Sequence, residues 1–173
     1  MYWFTADEHY NHKKIIEYSN RPFESIEQMD EKLIANFNEV VGKGDVTIHA
    51  GDFCWLNKKE EVYDKYVKKL NGTHILLIGS HDHWQSDSAQ FIWRKRINGT
   101  IIMVCHYCMR TWESSHYGAY QLFGHSHGRL QTPDTYQHDI GVDNNNYYPV
   151  SYEQIVEIMN KKPNNLDVLK TNR

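Results

Sequence analysis

The chain has 173 residues, of which 40% are hydrophobic and 13% aromatic, and its formal net charge at pH 7 is -3. A chain of this length and composition can bury the core of one compact domain, and it is not of the disordered class. The acidic balance provides no basic field of the kind that gives proteins non-specific affinity for nucleic acid. No segment has the ~20 apolar residues of a membrane span, and the first residues lack the pattern of a signal peptide, so we expect a cytoplasmic protein.

The three cysteines form an odd set, which argues against a disulfide framework. Cys105 and Cys108 have the C-x-x-C spacing of zinc and redox sites, but no second cysteine pair accompanies them. Cys105 also ends an apolar run at residues 101–105. The sequence therefore favours buried structural thiols over a zinc site.

The first half of the chain alternates predicted strands and helices. Ser25 with Gln28, and Asn57 with Glu60, have the spacing of capping boxes that open helices. Apolar residues recur at helical spacing after both pairs, whereas short apolar runs elsewhere indicate buried strands. This alternation predicts a largely parallel sheet with crossover helices. The predicted strands are residues 2–6, 46–50 and 73–78, and the predicted helices are residues 26–41 and about 57–70.

The second half is predicted to be rich in strands. Asn98-Gly99 is typical of a two-residue hairpin turn. Ser151 with Gln154 caps a last helix that runs to about residue 159. The predicted strands are residues 91–97, 100–105, 119–123 and 136–142.

Five blocks of potential metal ligands each lie where a predicted strand ends. Side chains two positions apart on an extended segment point to the same side, so Asp7 and His9 can reach one ion together. The carboxylate of Asp52 has two oxygens and can bridge two ions. Imidazole with carboxylate suits Mn, Fe, Zn, Co or Ni better than Ca. The blocks are Asp7-Glu8-His9, Gly51-Asp52, Gly79-Ser80-His81-Asp82, His106 and Gly124-His125-Ser126-His127.

One such block alone is more often a solvated loop or a structural histidine than a metal site. Five blocks in this order instead predict a two-metal hydrolytic site at one rim of a sheet. Three further motifs accompany them: Arg21-Pro22-Phe23, His49-Ala50-Gly51-Asp52-Phe53 and Asp139-Ile140-Gly141-Val142-Asp143. With these residues the chain resembles the calcineurin-like metallophosphoesterases, and it is similar to the small bacterial and phage-encoded members that lack a cap domain. The resemblance covers nearly the whole chain up to about residue 159.

The resemblance implies an α/β fold, a four-layer αββα sandwich of two mixed β-sheets flanked by helices, with the site at the C-terminal rim of the strands. We expect residues 1–160 to form this single domain and residues 161–173 to form a loosely ordered tail. It also implies two divalent metal ions, with manganese as the first expectation and iron, nickel, cobalt or zinc as alternatives. By match to the family motifs, one ion would be held by Asp7, His9 and His127, the other by His106 and His125, and both by the bridging Asp52.

The chemistry follows from the same resemblance. Two ions polarise the phosphoryl oxygens and activate a water for in-line attack on phosphorus. His81 would stand near the scissile phosphate as general acid or transition-state donor, and Asp82 would orient it. Ser80 departs from the family pattern, which has a metal-ligating asparagine at this position. Because a serine hydroxyl is shorter and a poorer ligand, Ser80 predicts weaker occupancy of the second metal and slower turnover.

Four further residues are candidates for contact with a substrate phosphate: Asn11, His12, Arg21 and Arg110. The first three follow the first ligand block closely, where solvated residues at a helix start are an equally good interpretation. Arg110 could form a bidentate phosphate contact or could pair with a nearby acid.

Other polar and aromatic residues near the blocks are interpreted as structural. We expect Trp84 to cover the core rather than to stack on a base. Asp139 and Asp143 are interpreted as turn residues or as carboxylates that orient ligand histidines. The histidines interpreted as structural are His49, His74 and His138.

Three functions fit these predictions. The leading hypothesis is a metal-dependent phosphohydrolase that cleaves diesters or monoesters of a small substrate, nucleotides among them, because a site without a cap domain is open. A metal-dependent nuclease is disfavoured by the acidic balance and by the lack of a basic stripe with interleaved aromatics. A catalytically weakened metal-binding protein is the third, because of Ser80. We expect a small phosphate-ester substrate, no nucleic-acid or membrane partner, and a monomer or homodimer.

Overall fold

The computed structural model describes residues 1–86, 88–130 and 135–162. The predicted tail lies outside the described residues from residue 163 onward. Within these ranges, no helix has the length and apolar character that crossing a membrane requires. The elements are β1 (Tyr2–Thr5), α1 (Lys14–Tyr18), α2 (Ile26–Val40), β2 (Val46–His49), α3 (Lys59–Lys65), β3 (Thr73–Leu76), β4 (Ile92–Ile97), β5 (Thr100–Cys105), β6 (Tyr120–Phe123), β7 (Gln137–Asp139), β8 (Val150–Ser151) and α4 (Tyr152–Asn160).

Two mixed four-stranded sheets form the centre of the structure. The first has the strand order β3-β2-β1-β8, in which β1, β2 and β3 are parallel and β8 is antiparallel to β1. The second has the order β4-β5-β6-β7, in which β4 is antiparallel to β5 and the other pairs are parallel. Helices flank the sheets, so the predicted α/β sandwich of two mixed sheets is confirmed.

Side chains alternate between the two faces of each strand, and this alternation defines the layers. Trp3 on β1 packs in the same cluster as the apolar face of α2, whereas its neighbour Phe4 packs in the opposite layer. That second layer contains buried side chains from both sheets, so the sheets pack face to face. Its members with no exposed surface include Phe4, Ile48, Ile102, Val104, Leu122 and Ile140.

The outer face of the second sheet is covered by the segment between β5 and β6. Ile101 and Met103 of β5 form a buried cluster with Trp112 and Ala119 of this segment. The segment contains one 3-10 turn, Ser115–Tyr117. Helix α4 contributes instead to the layer between the sheets, through Ile155 and Met159 on its apolar face.

The first residues of α2 and α4 show why these two helices begin where the sequence predicts. Ser151 and Gln154 form a complete capping box, in which each side chain accepts a hydrogen bond from the backbone N–H of the other residue. Ser25 accepts from the backbone N–H of Gln28 at 3.2 Å. The Gln28 side chain accepts from the N–H of Glu24 rather than of Ser25, so this box is only half formed.

Helix α3 differs from its prediction. The residue before it is Lys58, which makes no capping hydrogen bond, so the predicted start at Asn57 is wrong. The helix also ends at Lys65, and a separate 3-10 turn, Val67–Lys69, continues the apolar pattern. The turn at Asn98-Gly99 does match, because both residues have positive φ, 47° and 87°, as a type I′ hairpin requires.

The ends of the parallel strands meet at one rim. The carboxyl ends of β1, β2 and β3 share this edge in the first sheet, as those of β5, β6 and β7 do in the second. The two sheets are joined there by a parallel bridge between Ala6 and Gly141 and by a hydrogen bond from the Val142 N–H to the Ala6 carbonyl at 3.0 Å. All five ligand blocks therefore open at the same place.

Candidate metal centre

The structure brings six of the predicted ligands together at the rim in two groups. One group is Asp7, His9 and His127, and the other is Asp52, His106 and His125. In each group, one potential ligand atom per residue lies within 4.8 Å of the others. These are the two sets into which the family resemblance divides the histidines. The grouping therefore agrees with the arrangement that a pair of metal ions would need.

Asp52 lies between the two groups. One of its carboxylate oxygens, Oδ2, is 3.6 Å from Nε2 of His9 and 3.3 Å from Nε2 of His106. Nδ1 of His106 lies 2.9 Å from the carbonyl oxygen of Ala50, which can only accept, so this ring nitrogen carries the proton. In the neutral ring, the lone pair on Nε2 then faces Asp52. A carboxylate in this position can serve both groups.

Two buried nitrogen atoms in the site have no hydrogen bond within the described residues. They are Nε2 of His9 and Nε2 of His106. A buried polar atom without a partner costs about 1–3 kcal/mol, so native structures usually satisfy it. A divalent ion held by each group would give both nitrogens a partner. The residues present therefore fit a pair of imidazole- and carboxylate-bound ions.

The backbone of the ligand loops is strained. Five of the six ligands have positive φ: Asp7 (58°), His9 (53°), Asp52 (56°), His125 (68°) and His127 (49°). Such conformations cost non-glycine residues on the order of 1–3 kcal/mol each and cluster at functional sites. They persist because the loops are tightly packed: a Cβ on Gly79 would lie 2.2 Å from the backbone nitrogen of Asp52. The strain holds side chains in positions that ordinary loop conformations would not give.

Hydrogen bonds fix two of the ligand carboxylates. The oxygens of Asp7 accept the N–H of His125 at 2.8 and 3.0 Å, which links the loops after β1 and β6. Asp52 Oδ1 accepts the N–H of His81 at 2.8 Å, which links the loops after β2 and β3. Each carboxylate keeps its position without using up its capacity to bind a cation.

Asp143 orients His127, as predicted for a carboxylate behind a ligand histidine. Its Oδ2 lies 2.7 Å from Nδ1 of His127, which leaves the other ring nitrogen for the site. Burial opposes the charge on Asp143, but hydrogen bonds with His127 and Arg21 hold the pKa of its carboxyl below its usual range. Asp139 has the other role expected of this pair, that of a turn residue, because its carboxylate accepts the backbone N–H groups of Gly128 and Gly141 rather than a histidine.

Arg21 does not face the site, so the prediction that it contacts a substrate phosphate is wrong. Its side chain is fully buried. Nε and Nη2 donate to the two oxygens of Asp143 at 2.8 Å each, and the remaining contacts of the guanidinium include the carbonyl oxygens of Asp7 (2.6 Å) and Glu8 (2.9 Å). Arg21 thus ties the first ligand loop to the carboxylate that holds His127.

Asp82 does not orient His81, so that prediction is also wrong. Among the described residues, its carboxylate forms no hydrogen bond with the His81 ring. It accepts N–H groups from the two neighbouring loops and from a core indole, namely Asp52 (2.7 Å), Phe53 (2.9 Å), Cys54 (3.3 Å), Gly79 (2.8 Å) and Trp84 Nε1 (3.1 Å). Asp82 therefore fixes the backbone of the Asp52 loop against the loop that carries His81. Trp84 is buried, as its interpretation as a core residue predicts.

His81 borders an open cavity of about 370 Å³ beside the first ligand group. The centroid of its ring lies 5.6 Å from that of His9, and both rings line the cavity together with His127. Its backbone N–H donates to Asp52, which fixes the backbone position from which the imidazole extends at the rim. From this position the His81 side chain can reach a group bound at the metal ligands.

The four residues predicted to contact a substrate phosphate lie in different environments in the structure. His12 lines the cavity, and its Nδ1 lies 3.3 Å from Nδ1 of His9. Asn11 is exposed, and its backbone N–H donates to Asp30 at 3.2 Å. Arg110 is exposed and makes no hydrogen bond or ion pair among the described residues. Of the four, only His12 borders the cavity.

Six residues that the sequence analysis did not select also line the cavity. They are Lys14, Ile15, Tyr18, Ser19, Trp55 and Arg129. Trp55 follows the Asp52 block by three positions, and Arg129 follows the His127 block by two. For Trp55 and Arg129, a position close to a ligand block was the signal that the sequence offered. Lys14 and Tyr18 come from the short helix α1, which has no sequence pattern strong enough to predict it.

The C-x-x-C pair does not form a metal site in the described residues. Cys105 is buried, and its thiol donates to the carbonyl of Tyr107 at 3.0 Å. Burial raises the pKa of this thiol and that of Cys108, so both stay protonated at neutral pH. No cysteine belongs to either ligand group.

Ser80 donates its hydroxyl to both oxygens of Asp52, at 3.2 and 3.3 Å. We expect Ser80→Asn to raise the affinity for the second metal ion on the order of 10-fold and to increase turnover, because the longer amide brings an oxygen ligand to the site. Metal titration of both proteins by calorimetry measures this. Equal second-site affinity in the two proteins would contradict it, and Ser88→Asn, on an exposed residue, is the matched control.

Metal binding is expected to release protons near neutral pH. Burial raises the pKa of Asp7 to about 7. Burial lowers the pKa of His106 and His127, but the carboxylates of Asp52 and Asp143 outweigh it and raise both above the usual value. Ligation requires the deprotonated forms, so metal affinity should fall as the pH falls below about 7. Calorimetry in buffers of different ionisation enthalpy measures the release, and no release at pH 6 would contradict it.

Comparison of the chain with models of known protein families gives no match. Among curated proteins, the chain is 28% identical over 165 residues to uncharacterized protein MJ1445 of Methanocaldococcus jannaschii, which covers 92% of this chain and 91% of that protein. The alignment therefore runs over nearly the full length of both.

Two of the solved structures that are similar to the chain illustrate the range of the likeness. The protein of unknown function AQ665 from Aquifex aeolicus has a TM-score of 0.72 and 21% identity, over 91% of this chain and 98% of that one. A conserved uncharacterized protein from Streptococcus pneumoniae, described as a predicted phosphoesterase, has a TM-score of 0.45 and 13% identity, over 81% of this chain and 70% of that one. The Aquifex protein shares the fold of this chain, whereas the streptococcal likeness is too distant to add to it.

Proposed function

We propose that this protein is a hydrolase of phosphate esters that uses two divalent metal ions. The observation that carries the proposal is the position of Asp52, whose Oδ2 lies within 3.6 Å of imidazole nitrogens from both ligand groups. Those two nitrogens, on His9 and His106, are buried without hydrogen bonds. Two ions about 3.5–4 Å apart that share a carboxylate are typical of phosphatases and nucleases.

The bound ions would polarise the phosphoryl oxygens and activate a water molecule. In the hydrolysis, the water gives up a proton to solvent, its oxygen forms a new bond to phosphorus while the ester P–O bond breaks, and the alcohol leaves. The leaving oxygen needs a proton, and His81 is the imidazole on the cavity wall that can supply it. Asp52 holds the backbone of His81, so the proton donor and the candidate bridging ligand are positioned by one hydrogen bond.

Residues around the ligands keep them in place. Asp143 sets the ring of His127, and Arg21 neutralises Asp143. Asp82 holds the Asp52 loop through backbone N–H groups. Preorganisation of this kind contributes to catalysis because the groups do not have to be ordered during the reaction.

A small substrate is favoured over a polymer. The cavity beside the ligands measures about 370 Å³, within the range of small-molecule sites, and the net charge of the chain is -3. We propose either a phosphodiester or a phosphomonoester as the reacting group. Manganese is the proposed ion, with iron, nickel, cobalt or zinc as alternatives for a site of imidazoles and carboxylates.

The test is hydrolysis of bis(p-nitrophenyl) phosphate and p-nitrophenyl phosphate by metal-stripped protein, with Mn, Ni, Co, Zn or Mg added back. We expect turnover that depends on metal and falls about 10²–10⁴-fold in His81→Ala, the contribution of a general acid. His83→Ala is the matched control, because His83 is exposed and does not line the cavity. Metal-independent turnover, or equal rates in the two variants, would contradict the proposal.

A catalytically weakened metal-binding protein is the second candidate, and Ser80 favours it. The serine hydroxyl is turned to Asp52 and brings no amide oxygen to the second ligand group. In that case the wild-type protein binds one ion tightly and has little turnover, whereas Ser80→Asn gains turnover. Metal-dependent turnover of the wild-type protein separates the two functions, because Ser80→Asn is expected to gain turnover in both cases.

A further inference from the structure

The cavity next to the first ligand group has an aromatic side that the metal chemistry does not use. Trp55 is 40% exposed and Tyr18 is 59% exposed, although both belong to the cavity wall. One face of Trp55 stacks on the His12 ring, with centroids 4.0 Å apart and planes 13° apart. Its ring also lies 4.9 Å from that of His81. An exposed indole is thus held rigidly beside the proposed proton donor.

The same cavity has two positive side chains. Lys14 and Arg129 both line it, and both are exposed. Neither forms an ion pair in the part of the chain that the structure describes. Arg129 donates one hydrogen bond to the carbonyl of Tyr18, which fixes its position against α1. The cavity therefore offers free positive charge on a chain whose net charge is negative.

We propose that this cavity is a nucleoside subsite, in which Trp55 stacks on the base of a nucleotide substrate and Lys14 with Arg129 binds a second phosphate group. The inference rests on the proposed function and names its substrate class. Exposed aromatic rings stack on bases whatever the base, because every base has a π-face. Lysine and arginine bind phosphate through charge-assisted hydrogen bonds. A metal centre alone needs neither feature to bind a simple phosphate ester.

The indole and the two cations line the same cavity as two of the metal ligands. Trp55 follows the Asp52 loop and lies next to His81, whereas Lys14 and Tyr18 belong to α1. His9 and His127 lie in the same cavity wall. A phosphate at those ligands can therefore have its nucleoside against the indole and a further phosphate toward α1. The substrate class is a nucleotide with at least two phosphate groups.

Stacking of the base on Trp55 is tested with two esters that share one leaving group, thymidine 5′-(p-nitrophenyl phosphate) and methyl p-nitrophenyl phosphate. We expect kcat/KM for the thymidine ester to exceed that for the methyl ester by at least about 10-fold, in line with the strength of base stacking. In Trp55→Ala the ratio should fall to near one, and Trp55→Phe should retain part of it. Tyr117→Ala, at a residue 80% exposed and outside the cavity, is the control and keeps the ratio.

Binding of the second phosphate by Lys14 and Arg129 is tested with the thymidine ester carrying or lacking a 3′-phosphate. We expect the 3′-phosphate to increase kcat/KM about tenfold and the gain to be lost in Lys14→Ala and Arg129→Ala. Lys13→Ala is the matched control, because Lys13 is exposed and does not line the cavity. The same gain in Lys14→Ala, Arg129→Ala and Lys13→Ala would overturn the assignment of the cations.

Failure of the subsite and failure of the proposed function give different results. Turnover of both esters with a ratio near one, unchanged in Trp55→Ala, overturns the subsite and leaves the hydrolase intact. If neither ester is hydrolysed, the subsite is still decided by NMR on magnesium-loaded protein. The Trp55 indole N–H resonance, assigned with Trp55→Phe, should shift with adenosine 5′-monophosphate and not with ribose 5-phosphate. Equal shifts, or none with either ligand, overturn it.

Discussion

Asp52→Asn is expected to reduce metal-dependent phosphoester hydrolysis by about 10²–10³-fold. Lewis-acid stabilisation by an ion is worth several kcal/mol, and each 1.36 kcal/mol corresponds to tenfold in rate. The substitution removes the charge and one ligand oxygen at the atom that lies between His9 and His106. The amide oxygen can still accept the N–H of His81, which is bound at 2.8 Å in the structure. The loss should therefore come from the metals rather than from a rearranged loop.

The measurement is the rate with bis(p-nitrophenyl) phosphate at saturating metal, together with the number of ions bound. Asp64→Asn is the control, because Asp64 is an exposed residue of α3 that pairs with Lys68 and belongs to neither ligand group. Asp52→Asn should bind fewer ions and Asp64→Asn the same number as the wild type. Full activity of Asp52→Asn would show that the aspartate does not serve the two ligand groups.

Arg21→Ala is expected to lower the free energy of unfolding by about 3–5 kcal/mol, the cost of removing one partner of a buried ion pair. The guanidinium is fully buried against Asp143, and its other hydrogen bonds satisfy the carbonyls of Asp7 and Glu8. Its removal would leave two carbonyls without partners, and the buried carboxylate of Asp143 would keep His127 but lose its cation. Arg21→Lys should recover little, because a lysine cannot make the two parallel hydrogen bonds to Asp143.

Urea unfolding of metal-stripped protein measures this without a contribution from bound ions. The control is Arg94→Ala, which breaks an arginine–carboxylate pair of the same type with Glu113. Both of its side chains are more than 40% exposed, so we expect a much smaller change than for Arg21→Ala. If Arg21→Ala costs no more than Arg94→Ala, then Arg21 does not hold the first ligand loop.

The elements with long apolar patterns could be predicted from the sequence. The seven predicted strands and the helix α2 begin and end within about two residues of their predictions, except at the end of the strand predicted at 136–142. Two elements were missed because they are too short for a pattern. Helix α1 has five residues, and β8 has two and is defined only by pairing with β1. Tertiary contacts decide such elements.

The residues of the site also divide into those that could be predicted from the sequence and those that could not. The six grouped ligands could be selected because each follows a strand, and the parallel order of the strands brings their ends together. The roles of Arg21 and Asp82 could not, because both depend on which backbone groups lie nearby after folding. A charged residue near a ligand block is equally compatible with a substrate contact and with a buried support. Only the burial of the side chain distinguishes them.

The cavity residues were the least predictable. Trp55 and Arg129 lie 74 positions apart in the chain and meet only because their loops end at the same rim. A basic pair such as Lys13-Lys14 is typical of a solvated surface, and both residues are exposed in the structure. What distinguishes Lys14 from Lys13 is the cavity beside it. That distinction depends on the orientation of α1, which the sequence does not encode in a local pattern.

The most direct test of the central claim is the titration of metal-stripped protein with Mn²⁺, followed by electron paramagnetic resonance. The proposed site predicts that two ions bind per chain and that their spins are coupled, because ions about 3.5–4 Å apart share a bridging carboxylate. The coupling should disappear in Asp52→Asn. A single uncoupled ion in the wild type, or two uncoupled ions, would contradict a shared site at Asp52.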